Sequence, residues 1–400
     1  MKRFLYAIFF SAIFFLGMGL NMTTAYAEET EIKELIATSG QCGENVYWKI
    51  EGTTLTIYGT GDMYDYDFDD VWGGEKKPEY QKNGSIDKII IQNGVTSIGE
   101  CAFFGMKGAV QIGKDVTIIK KDGFYSFEGT EIVIPGNVKE IENNAFSYSK
   151  LKKVELEEGV QILRHGAFWR CSNLTDVIWA DTIDKVEYHA FEDSPWIKEQ
   201  YDKDGFFIKG TMLLGYKANE EATATEVNVP EGIVSIQGDG FGDTSFPRSD
   251  VDKVILPDSL TYIGCYTFKN SQIKEITLND NLTYIGDEAF SCCNNLTTIK
   301  IPKNVEYIGT GAYGGGWALP NVKRTYEVNS ANEVYSVPDN CNVIYDKKHN
   351  KVVAASADSK IPLGTKIIGG LAFANFDIEN IDLPDTVEDI EEQAFYGTKI

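Results

Sequence analysis

Residues 282–302 read LTYIGDEAFSCCNNLTTIKIP. Two aliphatic residues three apart, Leu282 and Ile285, lead through Gly286 to the small-aromatic pair Ala289-Phe290. A second run follows, Leu296-x-x-Ile299-x-Ile301, and ends at Pro302. The alternating pair Ile299 and Ile301 reads as a short strand with one buried face, stopped by proline. Gly286 suits a turn that needs positive φ. Asp287–Phe290 has the length of one helical or 3₁₀ turn.

The same phrase recurs along the chain. Val95-x-x-Ile98-Gly99 leads to Ala102-Phe103, Val138-x-x-Ile141 to Ala145-Phe146, and Val305-x-x-Ile308-Gly309 to Ala312-Tyr313. The full set of aromatic anchors is Phe103, Phe124, Phe146, Phe168, Phe191, Phe241, Phe268, Phe290, Tyr313, Phe373 and Phe395. Eight of the ten intervals fall between 21 and 27 residues; the other two are 50 and 60. No such unit can close a core alone, so neighbours must stack at the sheet spacing of about 4.8 Å. A period of about 22 lies within the leucine-rich-repeat range. The expected fold is an α/β repeat solenoid of leucine-rich-repeat type. It has about 11 units, short parallel strands, short helical or 3₁₀ turns and an N-terminal β-hairpin cap.

The phrases "VEYIGTGAYGGG", "LTYIGDEAFSCCNNLTTIKIP" and "VEDIEEQAF" resemble the BspA-type leucine-rich-repeat family of bacterial surface and secreted proteins. The stretch "CGENVYWKIEGTTLTIYGTGDMYDY" is similar to the segment that often precedes such arrays. Together they cover about residues 40–400. The resemblance implies a non-enzymatic protein that adheres to host matrix proteins or to other cells. It implies no catalytic residues, no metal and no cofactor.

Outside the repeats, Lys2-Arg3, an apolar run to Leu20 and Ala25-Tyr26-Ala27 read as a signal peptide over residues 1–27; the other reading is an uncleaved membrane anchor, against which the Ala-x-Ala site argues. Residues 28–86 form a linker and cap, in which Val46, Trp48, Ile50, Leu55 and Ile57 alternate around Glu51-Gly52 as a hairpin. The solenoid takes residues 87–400. The two long intervals hold insertions, at about 194–226 and 314–360. Each contains a hairpin pattern: Phe206–Ile208 with Met212–Tyr216, and Val343–Tyr345 with Val352–Ala354. Both leave the repeat four or five residues after an anchor, so they are expected to project from one edge. The chain stops at Ile400, where the next strand is due, and carries no L-P-x-T-G anchor sequence. No dedicated C-terminal cap is therefore expected.

Composition narrows the function. With 37 basic and 60 acidic residues the formal charge is −23, and −25 after export. Nucleic acid and other polyanions are poor partners for such a field. Three His and seven Cys show no metal or catalytic spacing. The hydrolase, Walker and dinucleotide fingerprints are missing. Asp65, Asp67, Asp69 and Asp70 alternate as calcium ligands do. However, an EF-hand loop would need Gly and Glu where Asp70 and Lys76 stand, so the stretch reads as a solvated acidic loop.

The candidate ligand residues are Tyr262, Tyr284 and Tyr307, with Trp196 and Trp317 at the starts of the insertions. The tyrosines fall in register on consecutive turns. They read either as a stacking ladder or as a platform for a sugar or peptide. Cys171 and Cys293, three residues after anchors, read as small core residues. The outward strand positions Ile90, Val133, Glu155, Ile178, Ile255, Thr277, Lys300 and Asp382 are apolar toward the N-terminus. The expected role is recognition of an extracellular protein or glycan. A structural spacer, or the non-catalytic part of a longer secreted enzyme, are the other readings.

Overall fold

The structure, a computed structural model, describes residues 37–72, 77–82, 84–217, 226–237, 251–314 and 323–400. Each turn of Thr38–Ile400 has three sides. The first is a strand of three or four residues holding the alternating aliphatics, such as Glu131–Ile134, Lys153–Leu156 and Asp176–Ile178. These pair in parallel, with Val154 opposite both Ile132 and Val177. The second is a two-residue strand, such as Glu140–Ile141, Ile162–Leu163 and Lys185–Val186, also parallel. The third is an arc of turns around the small-aromatic pair. There each anchor N–H donates to the carbonyl of the small residue one turn on: Phe124 to Ala145, Phe146 to Ala167 and Phe168 to Ala190, at 2.7–2.8 Å. Backbone groups are thus satisfied between turns on all three sides, as a stacked coil requires.

Two expectations need correction. The arcs are not helical, so the fold is a solenoid of stacked parallel strands with very little helix, and α/β describes it only loosely. Helix among the described residues is one five-residue segment, Phe68–Trp72, and the 3₁₀ segments Glu79–Lys82 and Pro195–Glu199. The cause is backbone handedness. The residue before each small-aromatic pair is left-handed, at Asp122 (φ 56°), Asn144 (56°), His189 (60°), Tyr266 (61°) and Glu288 (48°). A second left-handed residue follows two places after the anchor, at Ser126, Tyr148, Asn270 and Cys292. Flanked in this way, the pair cannot join a right-handed i→i−4 ladder. The repeat glycines also have another purpose than the one expected. Gly286 and Gly309 lie outside the positive-φ region; they are glycine because the neighbouring turn is too close for a side chain. A Cβ on Gly286 would stand 2.4 Å from the backbone N of Cys265.

The anchors form columns of rings. Phe103, Phe124, Phe146, Phe168 and Phe191 stack with centroids 4.9–5.1 Å apart, and Phe268, Phe290 and Tyr313 at 5.0–5.2 Å. All are at most 1% exposed. One ring per turn at nearly the strand spacing gives each face a neighbour. Phe373 and Phe395 continue the pattern, with Phe395 half-buried in the last turn. Phe241 and the export segment 1–27 lie outside the described residues. Among the described residues no helix is long and apolar enough to cross a membrane.

The N-terminal hairpin forms from Val46–Glu51 and Thr54–Gly59, and its second strand pairs in parallel with Lys88–Ile91. The two later hairpins do not project. Phe206–Lys209 pairs antiparallel with Met212–Tyr216, which then pairs in parallel with Ser235–Ile236 and so enters the short-strand sheet. Alternation along this hairpin sends its side chains to opposite sides. Phe207, Met212 and Leu214 join the core that begins at Cys42, whereas Phe206, Leu213 and Tyr216 join the next core. Ile344–Asp346 with Lys351–Ala354 repeats the device: Ile344 and Val353 pack backward, Val343 and Val352 forward. The hairpins are therefore walls that divide the solenoid interior into three cores.

Candidate functional site

The first wall interrupts the row of side chains at the leading position of the short strands. Before it the row ends at Lys185; after it the row runs Met212, Ser235, Tyr262, Tyr284, Tyr307 in register. The tyrosines stack with centroids 4.6 Å apart and planes within 11° at both steps. Stacking covers the inner faces, so only the terminal faces of the column and the ring edges can meet a ligand. Burial pushes the Tyr262 and Tyr284 phenols well above their ordinary value, with nearby thiol and carboxylate groups adding to it. They stay neutral hydroxyls at physiological pH. Tyr307 is 43% exposed and away from the wall.

A cleft of about 900 Å³ opens where the row is interrupted. Trp179, Lys185 and Asp184 line it from the first segment, Lys209 and Met212 from the wall, and Ser235, Gln237 and Tyr262 from the second. A smaller space of about 300 Å³ adjoins it and shares Lys185, Gln237, Tyr262 and Tyr284. Gln237 spans the floor, donating to the Asp184 carbonyl at 3.4 Å and to Ser235 Oγ at 2.9 Å. Lys185 is paired with Glu187 at 3.0 Å, and Glu187 also accepts from Arg164 at 2.7 Å. Burial acts to raise the Glu187 carboxyl, but these hydrogen bonds outweigh it and hold the group below its ordinary range. Lys209 lies 5.7–6.0 Å from the ring centres of Trp179, Trp196 and Phe207 and donates to Gln200 Oε1 at 3.2 Å. Burial lowers its pKa, with the Asp181 charge opposing.

Tyr262 and Tyr284 thus line a cleft. Trp196 does not: it is 5% exposed, packed against Phe191 and Phe207, and belongs to the first core. Its indole is wall packing, which corrects its candidacy as a surface contact. Trp317 lies outside the described residues. Trp179, Lys209 and Gln237 were missed, because none belongs to the repeat motif and only the wall brings them together. Their one signal was Trp179, an indole just beyond a strand end in a chain with six tryptophans.

The other candidates are structural. Asp65 is paired with Lys120 at 2.9 Å, and Asp67 accepts the N–H groups of Asp69 and Asp70. His165 stacks on Tyr188 at 4.0 Å, and His189 pairs with Glu192. Cys171 and Cys293 are buried, their thiols pushed up to about 12 by burial and their Sγ atoms directed at the Phe146 and Phe268 carbonyls. All seven cysteines are free thiols. Of the outward strand positions, Val133, Ile178 and Ile255 are exposed, at 44%, 43% and 36%.

A repeat of about 22 residues, parallel strands on two sides and one aromatic rung per turn define a leucine-rich-repeat solenoid. The BspA type leucine rich repeat region matches six copies in this chain, over residues 77–198, 239–343 and 354–400. The chain belongs to the BspA-type leucine-rich-repeat family. No curated protein sequence matches it. Among solved structures it is similar to a leucine-rich repeat protein of Eubacterium ventriosum, at 20% identity over 90% of this chain and 95% of that one, with a TM-score of 0.40. The pneumococcal vaccine antigen PcpA matches at 15% identity over 90% and 95% of the two chains, with a TM-score of 0.38. A leucine rich cell surface protein of Faecalibacterium prausnitzii matches at 19% identity over 67% and 84%, with a TM-score of 0.33.

Proposed function

We propose that this protein is an exported, non-enzymatic recognition protein that acts outside the cytoplasmic membrane. Its ligand is an extracellular protein or glycan. The observation that carries this reading is the cleft at the first wall, where an aromatic column ends at an open space of about 900 Å³. That size suits a small-molecule or oligosaccharide site, about 300–1,000 Å³. The groups around it are hydroxyl, amide and paired ionic groups, which suit binding more than bond cleavage. Export rests on the N-terminal sequence and on membership of a family whose members include surface proteins.

The test is capture of extracellular ligands by the protein on beads. The probes are fibronectin, mucin and an array of glycans. The comparison protein has Tyr262, Tyr284 and Tyr307 all replaced by serine. Saturable binding that the triple replacement removes, with the folded circular dichroism spectrum kept, is the expected result. Equal binding by both proteins refutes a tyrosine-based site, and no binding to any probe favours the spacer reading.

A further inference from the structure

The tyrosine column has an asymmetric end. Tyr284 covers one face of Tyr262 at 4.6 Å, but the residue in register on the other side is Ser235, which has no ring. That face of Tyr262 borders the cleft. Trp179 also lines the cleft and stacks on Trp196 at 6.3 Å and 13°. Aromatic faces carry negative charge density and attract weakly positive C–H groups. A pyranose ring offers such hydrogens on one face and hydroxyls around its rim.

Charge and hydrogen bonding at the rim favour a neutral ligand. The cleft holds Lys185 and Lys209 with Asp181 and Asp184, two of each sign in a chain of net charge −23. Lys185 is already committed to Glu187. Among the described residues no carboxylate lies within hydrogen-bond reach of Lys209, so its ammonium can donate to a hydroxyl oxygen. The exposed Asp181 and Asp184 side chains supply acceptors. A peptide strand finds less here. The edge of the hairpin is closed at Phe206, whose N–H donates to Asp202 Oδ1 and whose carbonyl accepts from the Asp202 N–H, both at 2.9 Å. Strand addition needs those groups open.

Resting on the recognition role above, we propose that the cleft binds a neutral oligosaccharide. One sugar ring lies on the open face of Tyr262, and its hydroxyls are shared among Lys209, Asp181 and Asp184. The register offers a direct way to close the site. Ser235→Tyr extends the column by one ring and fills the place of the sugar without emptying any core.

The test is calorimetric titration of the full chain with cellopentaose, chitopentaose, maltopentaose and mannopentaose, with pentagalacturonate as the acidic counterpart. At least one neutral sugar is expected to bind better than pentagalacturonate. Tyr262→Ala is expected to raise its Kd about tenfold, the value of one ring contact. Ser235→Tyr is expected to raise it at least as much while the thermal midpoint holds. Tyr47→Ala, an exposed ring in the N-terminal hairpin and outside the cleft lining, leaves Kd unchanged. No binding of any neutral sugar at millimolar concentration overturns the proposal, as does preference for pentagalacturonate or indifference to Ser235→Tyr. If fibronectin or mucin polypeptide is still captured in that event, recognition stands and only the glycan site fails.

Discussion

Replacing Phe290 by alanine tests the ring column at its centre. The side chain is 1% exposed, between Phe268 at 5.0 Å and Tyr313 at 5.2 Å. Removing a core phenylalanine costs about 3–5 kcal/mol, depending on how far the surroundings close over the gap. Here closure is blocked by the backbone. The Phe268 N–H is held to the Ala289 carbonyl at 2.8 Å, and the Phe290 N–H to the Ala312 carbonyl at 2.7 Å. The rungs cannot approach without breaking these bonds, so a value near the upper end, about 5 kcal/mol, is expected. Phe395 is the internal control: it is half-buried with one ring neighbour, Phe373 at 5.2 Å. Its replacement should cost about 2 kcal/mol. The assay is urea unfolding followed by circular dichroism, with hydrogen exchange over residues 273–308 locating the loss. A cost below about 1 kcal/mol at Phe290, or equal costs at the two positions, refutes the column as a source of stability.

Three further outcomes follow from the structure. Burial raises the Asp122 carboxyl to about 6, with Lys121 opposing and Glu100 adding to it. Its folded pKa thus exceeds the unfolded value of about 3.9, so this group's contribution to stability falls as pH rises from about 4 to 6. Asp122→Asn, which tolerates the left-handed φ of 56°, should gain about 1–2 kcal/mol at pH 7.5 and nothing at pH 4; urea midpoints at both pH values decide. Among the adjacent thiols, a maleimide should label the partly exposed Cys292 before the buried Cys293, as read by peptide mass spectrometry; the reverse order contradicts the packing. At the first wall, Phe207→Ala should raise hydrogen exchange mainly before the hairpin, and Phe206→Ala mainly after it. Identical exchange maps would mean that the wall does not separate two cores.

The period of 22 made the solenoid legible, because the anchor spacing is dictated by one ring per turn. Phe124, Phe146 and Phe168 lie where the motif puts them. The arc conformation was not legible. Asp287-Glu288-Ala289-Phe290 suits a helix by composition, but the need to reach the next turn's carbonyl forces Glu288 into the left-handed region. The glycine of the motif carried an ambiguous signal, since positive φ and close approach select the same residue. The hairpins were found by alternation, yet an all-apolar MLLGY run, buried at every position, was the sign of a wall with two faces. The tyrosines were in the register expected, but the cleft depends on Trp179 and Lys209, which are distant in sequence and outside the motif.

The walls also bear on how the chain would yield to pulling. A force along the coil axis peels turns one at a time, because each holds only its neighbours. At each wall the peeling front meets an antiparallel hairpin, paired over more residues than the two-residue strands released before it and still packed on the core beyond. A chain held at one end and pulled at the other would therefore lengthen in stages, with a pause at each hairpin. Its reach would grow before its innermost segment gave way.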